Sequence, residues 1–383
     1  KPQAMWLDQP RNPQAPLAGL KVLELARVLA GPWAGQILAD LGADVIKVES
    51  PEGDGTRLWG PPWIERGNGE REAAYYHAAN RGKRSIVADF KNEHDLARVR
   101  DLAASADVVL ENFKTGTLAK FGLDYASLTA ANQRLVYCSI TGFGQTGPRA
   151  HEAGYDFVVQ AMSGFMALTG EPAGQPMKMG ISISDLTCGL YAVIGIQAAL
   201  AMRERTGRGQ HVDMALLDCS VGLLASQATH FFTTGENPPR MGNEHAQVSA
   251  YGVFPVADGE VVLAPANDGL FRRLLALLGR DDLLGDERFA SNESRLANRA
   301  ELDAMIADET RKWELTELLG ACGEAGIPAG PINPIDAVFA DPQVRARGMR
   351  IELDGIAGVR SPFTFSGAEL ALDHPSPRKG EHS

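Results

Sequence analysis

Short β-rich apolar runs alternate with segments of helical apolar spacing along the first part of the chain. The run LKVLELA (20–26) is followed by RVLAGPWAGQILADLGA, helical from about Pro32 and closed by Gly42, and then by DVIKVES (44–50). Strand, helix and strand in about thirty residues make a βαβ unit. The rhythm continues through RSIVADF (84–90), a helix over EHDLARVRDLAASA, DVVLENF (107–113) and LVYCSITGFG (135–144). Strands covered on both faces read as near-continuous apolar runs, so the pattern predicts an α/β fold with a parallel sheet and helices on its faces.

The pattern then shifts. The longest apolar stretch, Leu186 to Met202, is interrupted by Gly189, Gly195 and Gln197 and ends in RERTGRG, which predicts a buried helix rather than a membrane span. Residues 214–232 read as another largely buried helix. GVFPVADGEVVLAPA (252–266) reads as a hairpin around Asp258–Gly259. Helices follow through LFRRLLALLG and RAELDAMIADETRKWELTELLGACGEAG, a smaller α+β domain. The Pro-rich IPAGPINPIDAVFADPQVRARGMRIEL then turns to strand-like segments. Residues 1–19, with Pro, Gln and Asn and no apolar signal-type segment, read as a loose arm.

Composition narrows the class. With 383 residues, 44% hydrophobic and 22% charged, the chain suits two domains better than one. A net charge of −11 argues against a general nucleic-acid binder but allows a local basic pocket. Cys138, Cys188, Cys219 and Cys322 form no CxxC pair, so neither a zinc site nor a disulfide framework is indicated, and a reduced, cytoplasmic setting fits.

Candidate chemistry falls where α/β sheets bind ligands, beyond the carboxyl ends of strands. ARVLAGPWAGQ follows the first strand, with helix amides that favour an anion and a glycine that lets the backbone approach it. The absence of GxGxxG weakens a nicotinamide site. NRGKRSI (80–86) sets Arg81, Lys83 and Arg84 before a strand, which suits either a phosphate-rich ligand or a solvated loop. ENFKTGTLAKFGL (111–123) adds Lys114 and Lys120, and SITGFGQTGP (139–148) is a shaped loop for binding or chain reversal. Tyr155 and Asp156 stand at a helix start, where an Asp is often only an N-cap. Asp185 stands where a polar stretch meets the long apolar helix. Either it or Ser184 would cap a helix starting near Leu186, and small residues around it (Gly180, Ser182, Ser184, Gly189) leave room for an electrophile. A carboxylate can attack an activated acyl group.

In order, from about residue 18 to 350, the blocks GLKVLELARVLAGPWAGQILADLGADVIKVESPEGDGTR, YYHAANRGKRSI, DVVLENFKTGTLAKFGLDY, YCSITGFGQTGP, AGYDFVVQAMSGFMALTG, ISDLTCGLYA and RTGRGQHVDMALLD resemble the class III (CaiB/BaiF) CoA-transferases, the family of formyl-CoA transferase and carnitine CoA-transferase. The resemblance implies a Rossmann-like large domain with its parallel sheet built from both chain ends (1–224 and 325–383), a small domain over 225–324, and two subunits interlocked as a homodimer. It implies that Asp185 is the nucleophile. It also implies that Arg27, Val28, Leu29, Ala30 and Gly31, with Lys83, Arg84, Lys120 and Phe121, line the CoA site. Lys120 stands where some members carry Arg. Coenzyme A esters would be substrates, with no permanently bound cofactor, no metal, and neither nucleic acid nor membrane as partner.

The implied reaction moves CoA from an acyl-CoA donor to a carboxylic acid through aspartyl anhydride and aspartyl-CoA thioester intermediates. WGPPW, SITGFGQTGP and DLTCGLYA look closest to members that move CoA between dicarboxylates such as succinate and glutarate. No glycine-rich run of the formyl-CoA:oxalate kind occurs between 225 and 324. An α-methylacyl-CoA racemase of the same fold would need an acid/base pair, and Tyr155 stands where racemases carry His. A CoA-binding protein without turnover is the other rival, opposed by the intact Asp185 block. In RMGNEHAQVSAYGVF (240–254), His245 is a candidate contact for the distal carboxylate of a dicarboxylic acid, against the alternative of a structural loop histidine.

Overall fold

The computed structural model describes residues 5–383; residues 1–4, the start of the expected loose arm, lie outside them. The rest of that arm is packed. Trp6 is buried and its Nε1 donates to Ser105 Oγ at 2.9 Å. Arg11 bonds the carbonyls of Ala39 and Ala371 and pairs with Asp373.

The chain forms two compact units. One comprises residues 1–166, 178–236 and 342–383, the other 167–177 and 237–341. The second unit therefore differs from the expected small domain over 225–324: it starts later, ends later and takes in 167–177.

The first unit is organised by a six-stranded parallel sheet: β1 (Lys21–Glu24), β2 (Asp44–Glu49), β3 (Arg84–Val87), β4 (Val108–Glu111), β5 (Val136–Thr141) and β6 (His211–Ala215). Their spatial order is 3-2-1-4-5-6. Every strand precedes residue 216, so the sheet is not built from both chain ends. The segment 342–383 instead supplies a separate hairpin, Arg350–Leu353 with Ile356–Val359, and a tail. The tail lies along β3: His382 N donates to Ser85 O and Val87 N to Ser383 Oγ, both at 2.9 Å.

Alternation along the strands divides the apolar residues between two faces. Val22, Val45, Leu110 and Val136 meet α1 (Ala30–Asp40) and Cys188, Ala192 and Ile196 of a long helix described below. Leu23, Ile46, Ile86 and Val109 meet Val99 and Leu102 of α2 (Glu93–Ser105), whose first turn is capped by Asn92 Oδ1 accepting from His94 N at 3.0 Å. α3 (Asp156–Met162) and α4 (Ile183–Thr206) follow; α4 ends at Gly207, which takes the left-handed conformation (φ +72°). Among described helices α4 alone is long and apolar enough to cross a membrane, and its buried stripe packs in this core. A Cβ at Gly189 of α4 would come within 2.7 Å of Ala30 O, so the contact with α1 is backbone to backbone.

Residues 214–232 are not one buried helix. They contain the end of β6, then α5 (Leu216–Gly222) and α6 (Ala225–Thr234), separated by a break at Ala225 with φ +43°. No residue of α6 is buried, and Phe232 is 81% exposed.

In the second unit, β7 (Gly252–Val256) and β8 (Gly259–Leu263) form the expected hairpin, and β9 (Ala329–Pro331) pairs antiparallel with β8. α7 (Asp268–Leu277), α8 (Arg299–Thr310) and α9 (Leu315–Ala325) close its core through Phe254, Leu263, Phe271, Leu274, Ile306 and Leu318.

Candidate active site

The strand order reverses between β1 and β4, where chains leaving the two strands diverge and open a crevice at their carboxyl ends. A cleft of about 240 Å3 lies there, lined by Arg27–Ala30 after β1, Asn112–Thr115 after β4, Ile140–Gly142 after β5, and Tyr155 and Asp185. Gly142 and Gly154 shape its wall: a Cβ on Gly154 would come within 2.7 Å of Gly142 Cα.

The turn after β1 is tied at each peptide. Arg27 N donates to Asn112 Oδ1 at 2.8 Å, and Asn112 Nδ2 donates to Arg27 O at 2.6 Å. The Arg27 guanidinium lies 5.0 Å from the centre of the Phe113 ring, a cation–π distance. Val28 has φ +70°, a left-handed conformation that is unfavourable for a β-branched residue. α1 begins two residues later.

Asp185 is not a cap. α4 starts at Ile183, so Asp185 sits in its first turn. The acceptor for this helix end is Asp156 at the start of α3: its Oδ1 takes Ser184 N at 2.8 Å and Asp185 N at 3.2 Å. Asp156 Oδ2 is held by Gln160 Nε2 at 2.7 Å, and Ser220 Oγ donates to Ser184 Oγ at 2.9 Å. Asp156 thus caps a helix other than its own. Among the described residues no donor reaches the half-buried Asp185 carboxylate. Burial, and then the charge of Asp156, push its pKa up to about 7.

The other expected site residues divide. Arg27, Val28, Leu29, Ala30 and Tyr155 share the cleft with Asp185. Gly31 does not line it; a Cβ there would meet Ala26 Cβ at 2.3 Å, so the glycine serves the packing of α1 on β1's exit. Lys83 is fully buried, and its ammonium is spent on Glu24, Pro32 O and Asn80 Oδ1, each at 2.9 Å. An ammonium has three donors, and none is left for a phosphate. Arg84 stands at the amino end of β3, opposite to the cleft, with its fork on Asp44 and Met5 O. Lys120 and Phe121 lie in the short turn Leu118–Phe121, where Phe121 packs on Phe90 at 5.5 Å. The cations that do line the cleft are Arg27 and Lys114, the latter exposed and without an ion pair among the described residues. His245 belongs to the second unit, 5.2 Å from the Tyr251 ring, with Nδ1 accepting Gln247 N at 3.1 Å.

Three residues that hold this turn are not among the expected ones: Asn112, the clamp on Arg27; Asp54, whose carboxylate accepts Val28 N at 3.3 Å; and Lys47, whose Nζ lies 3.0 Å from Asp54. Asp54 precedes a Gly-Thr turn and carried a local signal, since its Oδ1 accepts Thr56 N at 3.0 Å; Lys47 looked like an ordinary strand residue.

Residues 17–383 match the model of CoA-transferase family III. The chain belongs to CoA-transferase family III. It is therefore an enzyme of the transferase class that takes CoA thioesters as substrates. This CoA-transferase is 56% identical over 382 residues to the succinate–glutarate CoA-transferase of Agrobacterium fabrum, covering 98% of this chain and 95% of that one. It is 36% identical over 390 residues to the human succinyl-CoA:glutarate CoA-transferase, covering 100% of this chain and 88% of the relative. The crystal structure of a CaiB/BaiF family protein from Brucella suis superposes with a TM-score of 0.89 at 57% identity, over 96% of this CoA-transferase and 97% of that chain.

Proposed function

We propose that Asp185 is the nucleophile of a CoA transfer from succinyl-CoA to a dicarboxylate such as glutarate. The observation that carries this is the Asp185 carboxylate, raised to a pKa of about 7 and free of protein donors among the described residues, at the switch-point cleft of the sheet; Glu152, which also lines the cleft, is paired with Arg149. A basic carboxylate with no hydrogen bond to satisfy it is a stronger nucleophile than a solvated one. The succinate–glutarate relatives support the choice of acids.

Asp185 attacks the thioester carbonyl of the donor. The C–S bond breaks, giving an aspartyl–acyl anhydride and CoA thiolate. The thiolate attacks the aspartyl carbonyl, the anhydride C–O bond breaks, and the donor acid leaves as its carboxylate, with Asp185 now a CoA thioester. The acceptor carboxylate attacks that carbonyl and expels the thiolate, forming a second anhydride. The thiolate then attacks the acceptor's carbonyl and regenerates the Asp185 carboxylate. Each step exchanges one acyl partner for another, so the activation of the thioester is carried through.

The amides of Leu29 and Ala30, at the start of α1 and in the same cleft, are the donors available to the oxyanions. Arg27 and Lys114 supply positive charge for the nucleotide end of CoA. His245 meets the distal carboxylate of the acceptor. The exposed apolar side chains of Phe157, Tyr191, Ile194, Phe231 and Phe232 are the surface of an interlocked homodimer, in the cytoplasm.

The test is mass spectrometry of the Asp185 peptide after incubation with succinyl-CoA and trapping with hydroxylamine or borohydride. A hydroxamate or an alcohol at Asp185 is expected. An unmodified peptide, with turnover intact in Asp185→Ala, overturns the reading.

A further inference from the structure

Four buried charges lie beneath the turn that follows β1. Lys47 Nζ donates to Glu24 Oε1 at 3.1 Å and to Ala26 O at 2.9 Å, and it pairs with Asp54 Oδ2 at 3.0 Å. Lys83 pairs with Glu24 from the other side at 2.8 Å. All four side chains are at most 1% exposed. Gly35 makes room for the cluster, since a Cβ there would fall 1.7 Å from Glu24 Oε2.

The cluster meets the main chain at two points. Lys47 takes the carbonyl of Ala26, and Asp54 takes the amide of Val28 at 3.3 and 3.4 Å. Between them Asn112 takes both polar groups of Arg27. Val28 is held with φ +70°, a conformation that costs a β-branched residue energy and persists only where the surroundings impose it. Leu29 and Ala30, the next residues, line the cleft with Asp185.

We propose that Asp54, backed by Lys47, is a positioning residue for CoA transfer: its bond to the Val28 amide imposes the left-handed turn and so sets the Leu29 and Ala30 amides against the acyl group reacting at Asp185. This rests on Asp185 being the nucleophile. Asp54 touches no substrate; it acts through Val28. Its charge is required because a neutral side chain of the same shape leaves Lys47 paired to Glu24 alone and weakens the hold on the amide.

The test is Asp54→Asn, read by steady-state kinetics with succinyl-CoA and by circular dichroism. The expected result is kcat reduced about 100-fold, the scale of a misplacement of about 1 Å, with KM for the CoA ester changed much less. The second arm is a double-mutant cycle with Val28→Gly. Glycine adopts positive φ without imposed strain, so Asp54→Asn costs at least about 5-fold less in kcat in the Val28→Gly background than in the natural one. An equal loss of kcat in both backgrounds overturns the proposal, as does a kcat unchanged by Asp54→Asn. A third measurement needs no variant: the Val28 amide in the native enzyme exchanges its hydrogen slowly, like the neighbouring sheet, and exchange at the rate of an open loop overturns the proposal. Turnover that survives Asp185→Ala marks a failure of the nucleophile assignment instead, which the trapping experiment reads separately.

Discussion

Asp156 accepts the backbone amide of Asp185 at 3.2 Å, so one acid anchors the main chain of another. The arrangement satisfies the helix end and at the same time places a second negative charge beside the cleft carboxylate. Cap and electrostatic partner are the same group.

The pH dependence of turnover follows from that pairing. Asp185 must be ionised to attack, so kcat/KM for the CoA ester rises with pH through about 7. Asp156→Asn keeps an oxygen for the cap and removes the charge. The acid limb then moves to lower pH, though only partway toward the ordinary value, because burial is the larger cause. A pH–rate profile of the two proteins checks it; a limb that stays in place removes Asp156 from the electrostatics.

Stability carries the opposite consequence. Asp185 and Glu111 are each raised to about 7, chiefly by burial. Between about pH 4, where carboxyls titrate in an unfolded chain, and about pH 7 the native state holds more protons. Their stabilising contribution is complete below that window and is lost as pH rises through 7. The melting temperature therefore falls from pH 5 to pH 8, and the fall is smaller in Asp185→Asn. Thermal denaturation at the two pH values decides it, and an unchanged fall in the variant removes Asp185 from the account.

Two lysines separate ligand binding from folding. Lys114→Ala raises KM for CoA esters more than it lowers kcat, since it removes binding common to ground and transition states. Lys83→Met instead leaves Glu24 buried with only Lys47 as ion-pair partner, and destabilises by about 3 kcal/mol. Denaturant unfolding of Lys83→Met alongside kinetics of Lys114→Ala tests both; a stable Lys83→Met with an altered KM would return Lys83 to the CoA site.

His245→Ala weakens use of dicarboxylate acceptors and leaves CoA affinity nearly unchanged. The KM for acceptor acid and for CoA ester are measured in the same variant. Equal losses in both, or in neither, make His245 a loop residue that only bonds Gln247 and packs on Tyr251.

The parallel sheet was legible because its inner strands carry β-branched residues on both faces: Val45, Ile46 and Val48 in Asp44–Glu49, and Val136 and Ile140 in Val136–Thr141, are all buried. β6 was not legible: HVDMA is only five residues long, with its last residue alone buried, and it runs directly into the apolar stretch from 214 that reads as a helix. The start of α4 was misread because Asp156 supplies its cap from a distant position, which a local pattern cannot register. Lys83 and Arg84 looked like ligand cations because sequence shows the charge and hides the partner. Glu24 and Asp44, which claim them, lie 59 and 40 positions away. The clamp on Val28 is hidden for the same reason, being assembled from β2, the loop at Asp54 and Asn112.

The tail along β3 bears on how this molecule behaves among its neighbours. An uncovered outer strand offers a row of amides and carbonyls that any extended chain can copy, the usual first step of edge-to-edge aggregation. Here the amide of Val87 and the carbonyl of Ser85 are already engaged by Ser383 and His382. Recruitment of a foreign strand at this edge would first have to peel the tail away, so this side of the sheet is shielded from templated growth.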